Sequence, residues 1–247
     1  IFREAKKRKI NFKLIFGNPA SKSMDFFAIK QLKKEKVNYT RLNYSHNKIN
    51  FISDVKSIFK INNIIKNYKP NIVHSASPKA NLISSIVSKI ANVETLVLSL
   101  SGLGYLFTNK KKNYYKIIKA KIFLKILKYC LKNQNKKIIV QNKDDYKYIK
   151  LKLKLKKNEI FIIKGGSGVN LSSFQNIKKK NTYNISMISR IVKNKGVREY
   201  LRAAEILKKK FPRWNFTLVG SNDYKSPDQI NDNFLNYFRE KKIVRFL

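Results

Sequence analysis

The chain has 247 residues, 43% of them hydrophobic, with 55 Lys and Arg against 14 Asp and Glu, for a formal net charge of +41. That much apolar content supports a packed core and excludes wholesale disorder. A single cysteine, Cys130, excludes a disulfide within the chain and a cysteine-based metal cluster, and no apolar run reaches the roughly 20 residues of a spanning helix.

A charge of this size points first to a polyanionic partner. The lysines, however, lie along nearly every predicted helix, and Asn and Ile are abundant while Gly is scarce. This reads as a bias of the whole chain, not as a patch built for nucleic acid. A nucleic-acid-binding module would interleave aromatics with cations on one exposed sheet face. Here most aromatics fall within helix patterns or beside strand ends, so no nucleic-acid partner is expected.

Residues 1–9 are basic and read as the end of a helix; a start at Ile1 instead of Met leads us to expect an internal fragment. Residues 12–16 (FKLIF) read as a strand closed by Gly17. Residues 25–36 read as a helix burying Phe26, Phe27, Ile29 and Leu32. Residues 38–44 alternate as a strand, and 54–68 form a helix with Val55, Ile58, Ile61 and Ile65 inward. After Pro70 comes a short buried strand, 71–74, ending in His74. Ser77-Pro78 is a helix start, a hydroxyl cap with proline at the first helical position. That helix runs to about Ala91 and buries Leu82, Ile83, Ile86, Val87 and Ile90. Residues 95–100 (TLVLSL) are a strand that leads into Ser101-Gly102-Leu103-Gly104.

Residues 114–132 form a long helix, apolar around much of its circumference and interrupted by lysines. It fits either a core-packed helix or one lying against anionic lipid. Residues 137–140 are a strand, Asn142 caps a short helix over 143–151, and 159–163 are a strand ending in Gly165-Gly166-Ser167-Gly168. Residues 171–181 have no period and read as a linker. Next comes NISMISRIVKNKGVREYLRAAEIL (184–207): a buried strand ending at Arg190, a basic loop, and a helix opened by Lys195-Gly196 with Val197, Leu201, Ala204 and Leu207 on one face. A strand over 215–219 closes on Gly220, followed by a helix over 228–240 and a last strand over 243–246.

Strand–helix alternation of this kind implies parallel sheets with helices on both faces, an α/β fold. Seven of the eight glycines follow predicted strands, and the eighth, Gly196, opens a helix. Ligands of open α/β sheets bind outside the carboxyl ends of the strands. Arg190 and Lys195, beside a helix N-terminus, form a pocket suited to a diphosphate. The glycine runs at 101–104 and 165–168 match neither a dinucleotide fingerprint nor a Walker A loop. His46 and His74 lie far apart without a cysteine cluster, there is no Asp-x-Asp, and no metal is expected.

In order along the chain, KPNIVHSASPKANLISSIVSKIANV, LSLSGLGYLF, IIVQNKDD, IIKGGSGVNLSSF, ISRIVKNKGVREYLRAAEILKKKFPRWNFTLVG and IVRFL resemble the family 4 glycosyltransferases, retaining enzymes of the GT-B fold. The nearest likeness is to the bacterial branch that builds lipid-linked surface glycans such as lipopolysaccharide and capsule. The resemblance implies two Rossmann-like domains facing a cleft, the second truncated here: an acceptor-side domain over 1–171 lacking its first strand, a linker over 172–182, and a partial nucleotide-sugar domain over 183–247. It implies that Arg190 and Lys195 hold the donor diphosphate, with Gly196, Gly220 and Ser221 on the donor side and His74, Ser101 and Gly102 on the acceptor side. The family's usual histidine beside the Ser101-Gly102 turn is a serine here, so no histidine role transfers to it. No catalytic residue is assigned. The family's Glu-x7-Glu donor motif would lie beyond Leu247, so the fragment itself is expected to be inactive. The expected donor is a UDP-sugar without metal or other cofactor. The expected acceptor is a lipid-linked glycan at the cytoplasmic face of the plasma membrane, with peripheral contact to anionic lipid. A sugar-nucleotide epimerase on the same fold is the alternative, disfavoured by the shortage of carboxylates and histidines.

Overall fold

The computed structural model describes residues 2–18, 22–45, 51–100, 114–163, 168–169, 171, 183–222, 226 and 228–247. The chain divides into two compact units, Ile1–Val169 and Asn170–Leu247. The expected linker over 172–182, the turn 101–104, residues 165–167 and His46 lie outside the described residues.

The first unit runs α1 (Phe2–Lys7), β1 (Leu14–Asn18), α2 (Lys22–Lys34), β2 (Tyr39–Ser45), α3 (Phe51–Tyr68), β3 (Ile72–Ala76), α4 (Pro78–Ile90), β4 (Thr95–Leu100), α5 (Tyr114–Leu131), β5 (Lys136–Val140), α6 (Lys143–Leu153) and β6 (Ile160–Ile162). Strands β3, β4, β5 and β6 pair in that order, all parallel. Strands β1 and β2 form a separate parallel pair. Parallel pairing follows from the connections, each of which carries a helix too long for a hairpin.

Strand β4 is central, and its alternate residues Leu96, Leu98 and Leu100 are almost fully buried. They pack with Leu124, Leu127 and Leu131 of α5 and Ile149 and Leu153 of α6. A second cluster joins Leu42 of β2 to Ile61 and Ile65 of α3 and Ile83 and Val87 of α4, with Ile15 of β1 and Val73 of β3 against it. Strands β1 and β3 thus share one helical layer, yet among the described residues no ladder links them.

Several local expectations shift. Phe26 and Phe27 are 65% and 70% exposed, and Leu32 alone of the expected set in α2 is buried. Gly17 lies inside β1, not after it, at a register shift between Phe16 and Asn18. A Cβ there would stand 2.6 Å from the Tyr44 carbonyl oxygen, so the bulge needs a residue without a side chain. In α4 the buried face carries Asn81, Ser85 and Ser88 beside Ile83 and Val87, whereas Ile90 is 56% exposed. Asn142 does cap α6, its side-chain oxygen accepting from Asp145 N at 2.8 Å.

The second unit runs β7 (Asn184–Ile188), a 3-10 turn (Lys193–Lys195), α7 (Val197–Lys210), β8 (Asn215–Val219), α8 (Asp232–Glu240) and β9 (Arg245–Phe246). Its strands pair in the order β7-β8-β9, all parallel. Val197, Leu201 and Ala204 recur at helical spacing and pack with Phe216 and Leu218 of β8 and Leu235 and Phe238 of α8. Tyr200 ties α7 to the sheet, its hydroxyl 3.0 Å from Ile185 O and 2.9 Å from Thr217 O. Strand β7 is not buried as expected. It is an edge strand whose Asn184, Ser186 and Ile188 face outward, Ile188 at 80% exposure.

Candidate functional site

In the second unit the carboxyl ends of β7 and β8 are pressed together. Ser189 N donates to Val219 O at 3.0 Å, and Ile191 N to Ser221 O at 3.0 Å, so the ladder continues past both strands. Gly220 has φ 150°, and a Cβ there would lie 1.9 Å from the Ser189 carbonyl oxygen. Only glycine permits this approach. Arg190 therefore sits two residues beyond the end of β7, on an exposed step of the loop. Its carbonyl accepts from Val192 N at 3.0 Å and from the Ser189 hydroxyl at 3.1 Å. Ile191 and Val192 behind it are buried at 2% and 1%, which anchors the backbone that carries the guanidinium.

The loop then turns through the 3-10 segment. Lys193 N donates to Asp228 O at 2.8 Å, and the Asn194 side-chain amide to the Asp228 carboxylate at 3.1 Å. Lys195 closes the turn and is exposed. Gly196, with φ 76°, is the residue before α7, and helical bonding starts with Tyr200 N to Gly196 O at 2.9 Å. Arg190, Lys195, Gly196, Gly220 and Ser221 all fall at the carboxyl edge of this sheet, around the amino end of a 14-residue helix. Unpaired amides of the first helical turn carry partial positive charge, so the arrangement can receive an anion. Arg198, which the sequence reading passed over, also lies in that first turn. Its guanidinium stacks 5.3 Å from the Phe234 ring centroid, and among the described residues its Nε is buried without a hydrogen-bond partner. The missed signal was a further cation, beyond Arg190, Lys193 and Lys195, at the same loop-to-helix junction.

In the first unit His74 lies in the middle of β3, not at its end. Its Nε2 is 2.8 Å from the Ser99 hydroxyl of β4. Partial burial pushes the imidazole below its ordinary value of 6.5, which favours the neutral ring. Beneath it is a polar network that the sequence reading missed. Asn81, fully buried, accepts from the Ser75 hydroxyl at 2.7 Å and donates to Ser99 O at 3.0 Å. Asn81, Ser85 and Ser88 recur at i, i+4 and i+7, a helical stripe visible in the sequence but made of polar and small residues instead of Ile and Leu.

Ser77 precedes Pro78 as expected, but its hydroxyl makes no capping bond. Its backbone takes φ 88° and ψ 146°, a conformation an L-residue holds only when its surroundings impose it. An open depression of about 370 Å³ lies at β2 and the start of α3, lined by Asn43, Ser53, Lys56 and Lys60 among others. Ser101 and Gly102 lie outside the described residues. Among the described residues no group of three His, Cys, Asp or Glu side chains is placed to hold a metal ion.

A family model described as glycosyl transferase 4-like matches residues 4–142. A curated relative from Campylobacter jejuni, N,N'-diacetylbacillosaminyl-diphospho-undecaprenol alpha-1,3-N-acetylgalactosaminyltransferase, is 27% identical over 211 residues, 78% of this chain and 53% of that protein. The chain spans about half the length of the curated relatives it matches. Among solved structures, sucrose-phosphate synthase from Thermosynechococcus elongatus superposes with a TM-score of 0.62 at 17% identity, covering 86% of this chain and 55% of that one. UDP-GlcNAc 2-epimerase from Methanocaldococcus jannaschii gives 0.58 at 13%, covering 99% and 67%. At these identities the structural likeness shows the fold, a two-unit α/β architecture of the GT-B type, shared by transferases and epimerases alike.

Proposed function

The chain belongs to the glycosyl transferase 4-like family, and from that membership we propose that the protein moves a hexose or N-acetylhexosamine from a UDP-sugar to a lipid-linked glycan, with retention at the anomeric carbon. In this reading the second unit receives the donor and the first unit the acceptor. The observation that carries it is the loop from Arg190 to Gly196, anchored by buried Ile191 and Val192 and by the close Ser189–Gly220 approach. Arg190 and Lys195 bind the two phosphates, and the amino end of α7 adds a fixed dipole. As the bond from the sugar C1 to the diphosphate oxygen breaks, negative charge grows on the leaving group. Preorganised cations stabilise that charge more than the ground state, which lowers the barrier. The acceptor hydroxyl oxygen forms the new bond to C1 and yields its proton to the departing diphosphate.

In this reading the buried Ser75–Asn81–Ser99 network holds β3, β4 and α4 together beneath His74, on the acceptor-side unit. The Campylobacter relative is named for a diphospho-undecaprenol acceptor; in this reading the acceptor here is of the same lipid-linked kind, met at the cytoplasmic face of a bacterial membrane.

The test is UDP binding to the full-length protein by calorimetry. Arg190→Ala and Lys195→Ala should each weaken binding about tenfold to a hundredfold, the range for a lost charge-assisted hydrogen bond. Unchanged affinity in both variants, with unchanged circular dichroism, would remove the diphosphate assignment. Product analysis separates the classes: a sugar joined to the acceptor supports transfer, and a free epimerised sugar supports the epimerase.

A further inference from the structure

The loop that carries Arg190 and Lys195 is held from two sides. Strand β8 and the residue after Gly220 hold its first half, through the bonds from Ser189 and Ile191. Its second half is met by the residues that lead into α8. Val192 forms an antiparallel bridge with Gln229. Lys193 N donates to Asp228 O at 2.8 Å, and the Asn194 side-chain amide donates to the Asp228 carboxylate at 3.1 Å. Three successive loop residues thus meet two successive residues of one segment. That segment is itself fixed. Asp228 N donates to the Ser226 hydroxyl at 3.2 Å, and Gln229 N to Ser226 O at 3.1 Å. The next residue, Ile230, is fully buried in the same core cluster as Val197 and Leu201 of α7.

Asp228 grips the loop with both backbone and side chain, and the turn it grips is the one that Lys195 closes. Lys195 N donates to Val192 O and Gly196 N to Lys193 O, each at 3.2 Å. The backbone of Lys195 therefore goes where Val192 and Lys193 are held, and small misplacements of a binding group cost large factors. The charge of Asp228 acts in the opposite sense. A carboxylate beside an anion site repels the anion, and in a chain with 14 Asp and Glu against 55 Lys and Arg it is an unusual neighbour for one. Its hydrogen bonds favour an ordered cationic loop while its charge disfavours the ligand, so substitution can separate the two effects.

We propose that Asp228 is a positioning residue for the diphosphate of the donor. It acts through Lys195, by holding the turn that sets this cation and the amino end of α7 against Arg190. The inference rests on the proposed role of the Arg190–Gly196 loop in donor binding, and adds to it a residue from a different part of the chain.

The experiment is calorimetric titration of the full-length protein with UDP, at a temperature where urea unfolding followed by Trp214 fluorescence shows every variant folded. Asp228→Ala should weaken binding about tenfold. Asp228→Asn keeps a side-chain oxygen for the Asn194 amide, and should bind about fivefold or more tighter than Asp228→Ala. If charge alone mattered, both variants would gain affinity alike, and that result overturns the proposal; so does an equal loss in both. In a Lys195→Ala background, Asp228→Ala should change affinity by less than about twofold, because the residue it positions is gone. A further loss of about tenfold in that background would mean a general loosening of the unit, and overturns the positioning role. Arg190→Ala and Lys195→Ala alone separate the two levels of the argument. If both leave UDP affinity unchanged, the diphosphate reading falls and this inference with it. If both weaken binding and Asp228→Ala does not, this inference alone falls.

Discussion

Gly220→Ala isolates the contact on which the loop carrying Arg190 is built. The added Cβ would lie 1.9 Å from the Ser189 carbonyl oxygen and 3.0 Å from its carbon. Ordinary contacts of this kind are above about 3 Å, so the two strand ends must part by more than about 1 Å. Both atoms belong to backbone, so no rotamer change relieves the clash. Overpacking of this order costs about 1–3 kcal/mol, and the φ of 150° at this position adds about 1–3 kcal/mol for an L-residue. The expected loss is therefore about 2–6 kcal/mol, a large part of a domain's net stability of about 5–15 kcal/mol. Trp214, the chain's one tryptophan, packs in this unit's core, so its fluorescence in urea reports the unit directly. Gly196→Ala is the matched control, with φ 76° but its nearest would-be neighbour 3.9 Å away. It should lose only the dihedral cost, about 1–2 kcal/mol. Gly220→Ala no more destabilising than Gly196→Ala would refute the close-approach argument. Because Ser189 adjoins Arg190, the same variant should also weaken UDP binding.

Three further outcomes follow from the first unit. Asn81→Leu keeps the volume but strands the Ser75 hydroxyl and the Ser99 carbonyl, and should cost about 1–3 kcal/mol in urea titration; a neutral result would mean that the network is not closed. The His74 imidazole is held below 6.5 in the folded chain, so the unfolded chain binds more protons in the window just below that value. Its contribution to stability is then complete above about pH 6.5 and falls as pH drops toward the folded value, a slope that His74→Gln should flatten. An NMR titration with His74 at or above 6.5 would contradict it. Lys154 ends α6 with φ 54°, so Lys154→Gly should stabilise by about 0.5 kcal/mol, the relief of left-handed strain exceeding the entropy glycine adds to the unfolded chain. A loss of stability on chemical denaturation would show that the side chain contributes more than the backbone strain.

The α/β alternation was legible because period and punctuation agreed along the chain. TLVLSL alternates and is the central strand, and VREYLRAAEIL carries its apolar stripe at helical spacing. What the sequence concealed has physical causes. The inward side of α2 was read by hydrophobicity, but Phe26 and Phe27 face outward and Leu32 alone of the expected set is buried, because apolar type does not by itself say which side of a helix meets the sheet. The buried polar stripe of α4 escaped because burial was inferred from apolar type, whereas Asn81 is buried by virtue of its two hydrogen bonds. Around Arg190 the strand end was placed two residues late. Ladder bonds from Ser189 and Ile191 continue past the strand, so composition alone does not mark where it stops. Ser101 and Gly102 fall outside the described residues.

The backbone gives the clearest reason why glycine marks the candidate site in this chain. Seven non-glycine residues with φ between 46° and 59° (Lys9, Lys36, Lys69, Asn92, Asn133, Lys154 and Lys242) each follow a helix. Those are the positions where glycine ordinarily ends helices in the left-handed conformation. In a chain with eight glycines and so many lysines, the composition bias has filled these helix ends, where an L-residue costs only about 1–2 kcal/mol. Gly220 could not be filled the same way, since its φ of 150° lies outside that region and its missing Cβ is occupied by the Ser189 carbonyl. Ser77, with φ 88°, also stands just after a strand, at the carboxyl end of β3. Among the described residues, lysine and asparagine thus stand at helix ends that tolerate an L-residue, and glycine stands where a strand end must approach another. The contact that Gly220 permits is the one that fixes the backbone of Arg190, through the Ser189–Val219 and Ile191–Ser221 bonds on either side of it.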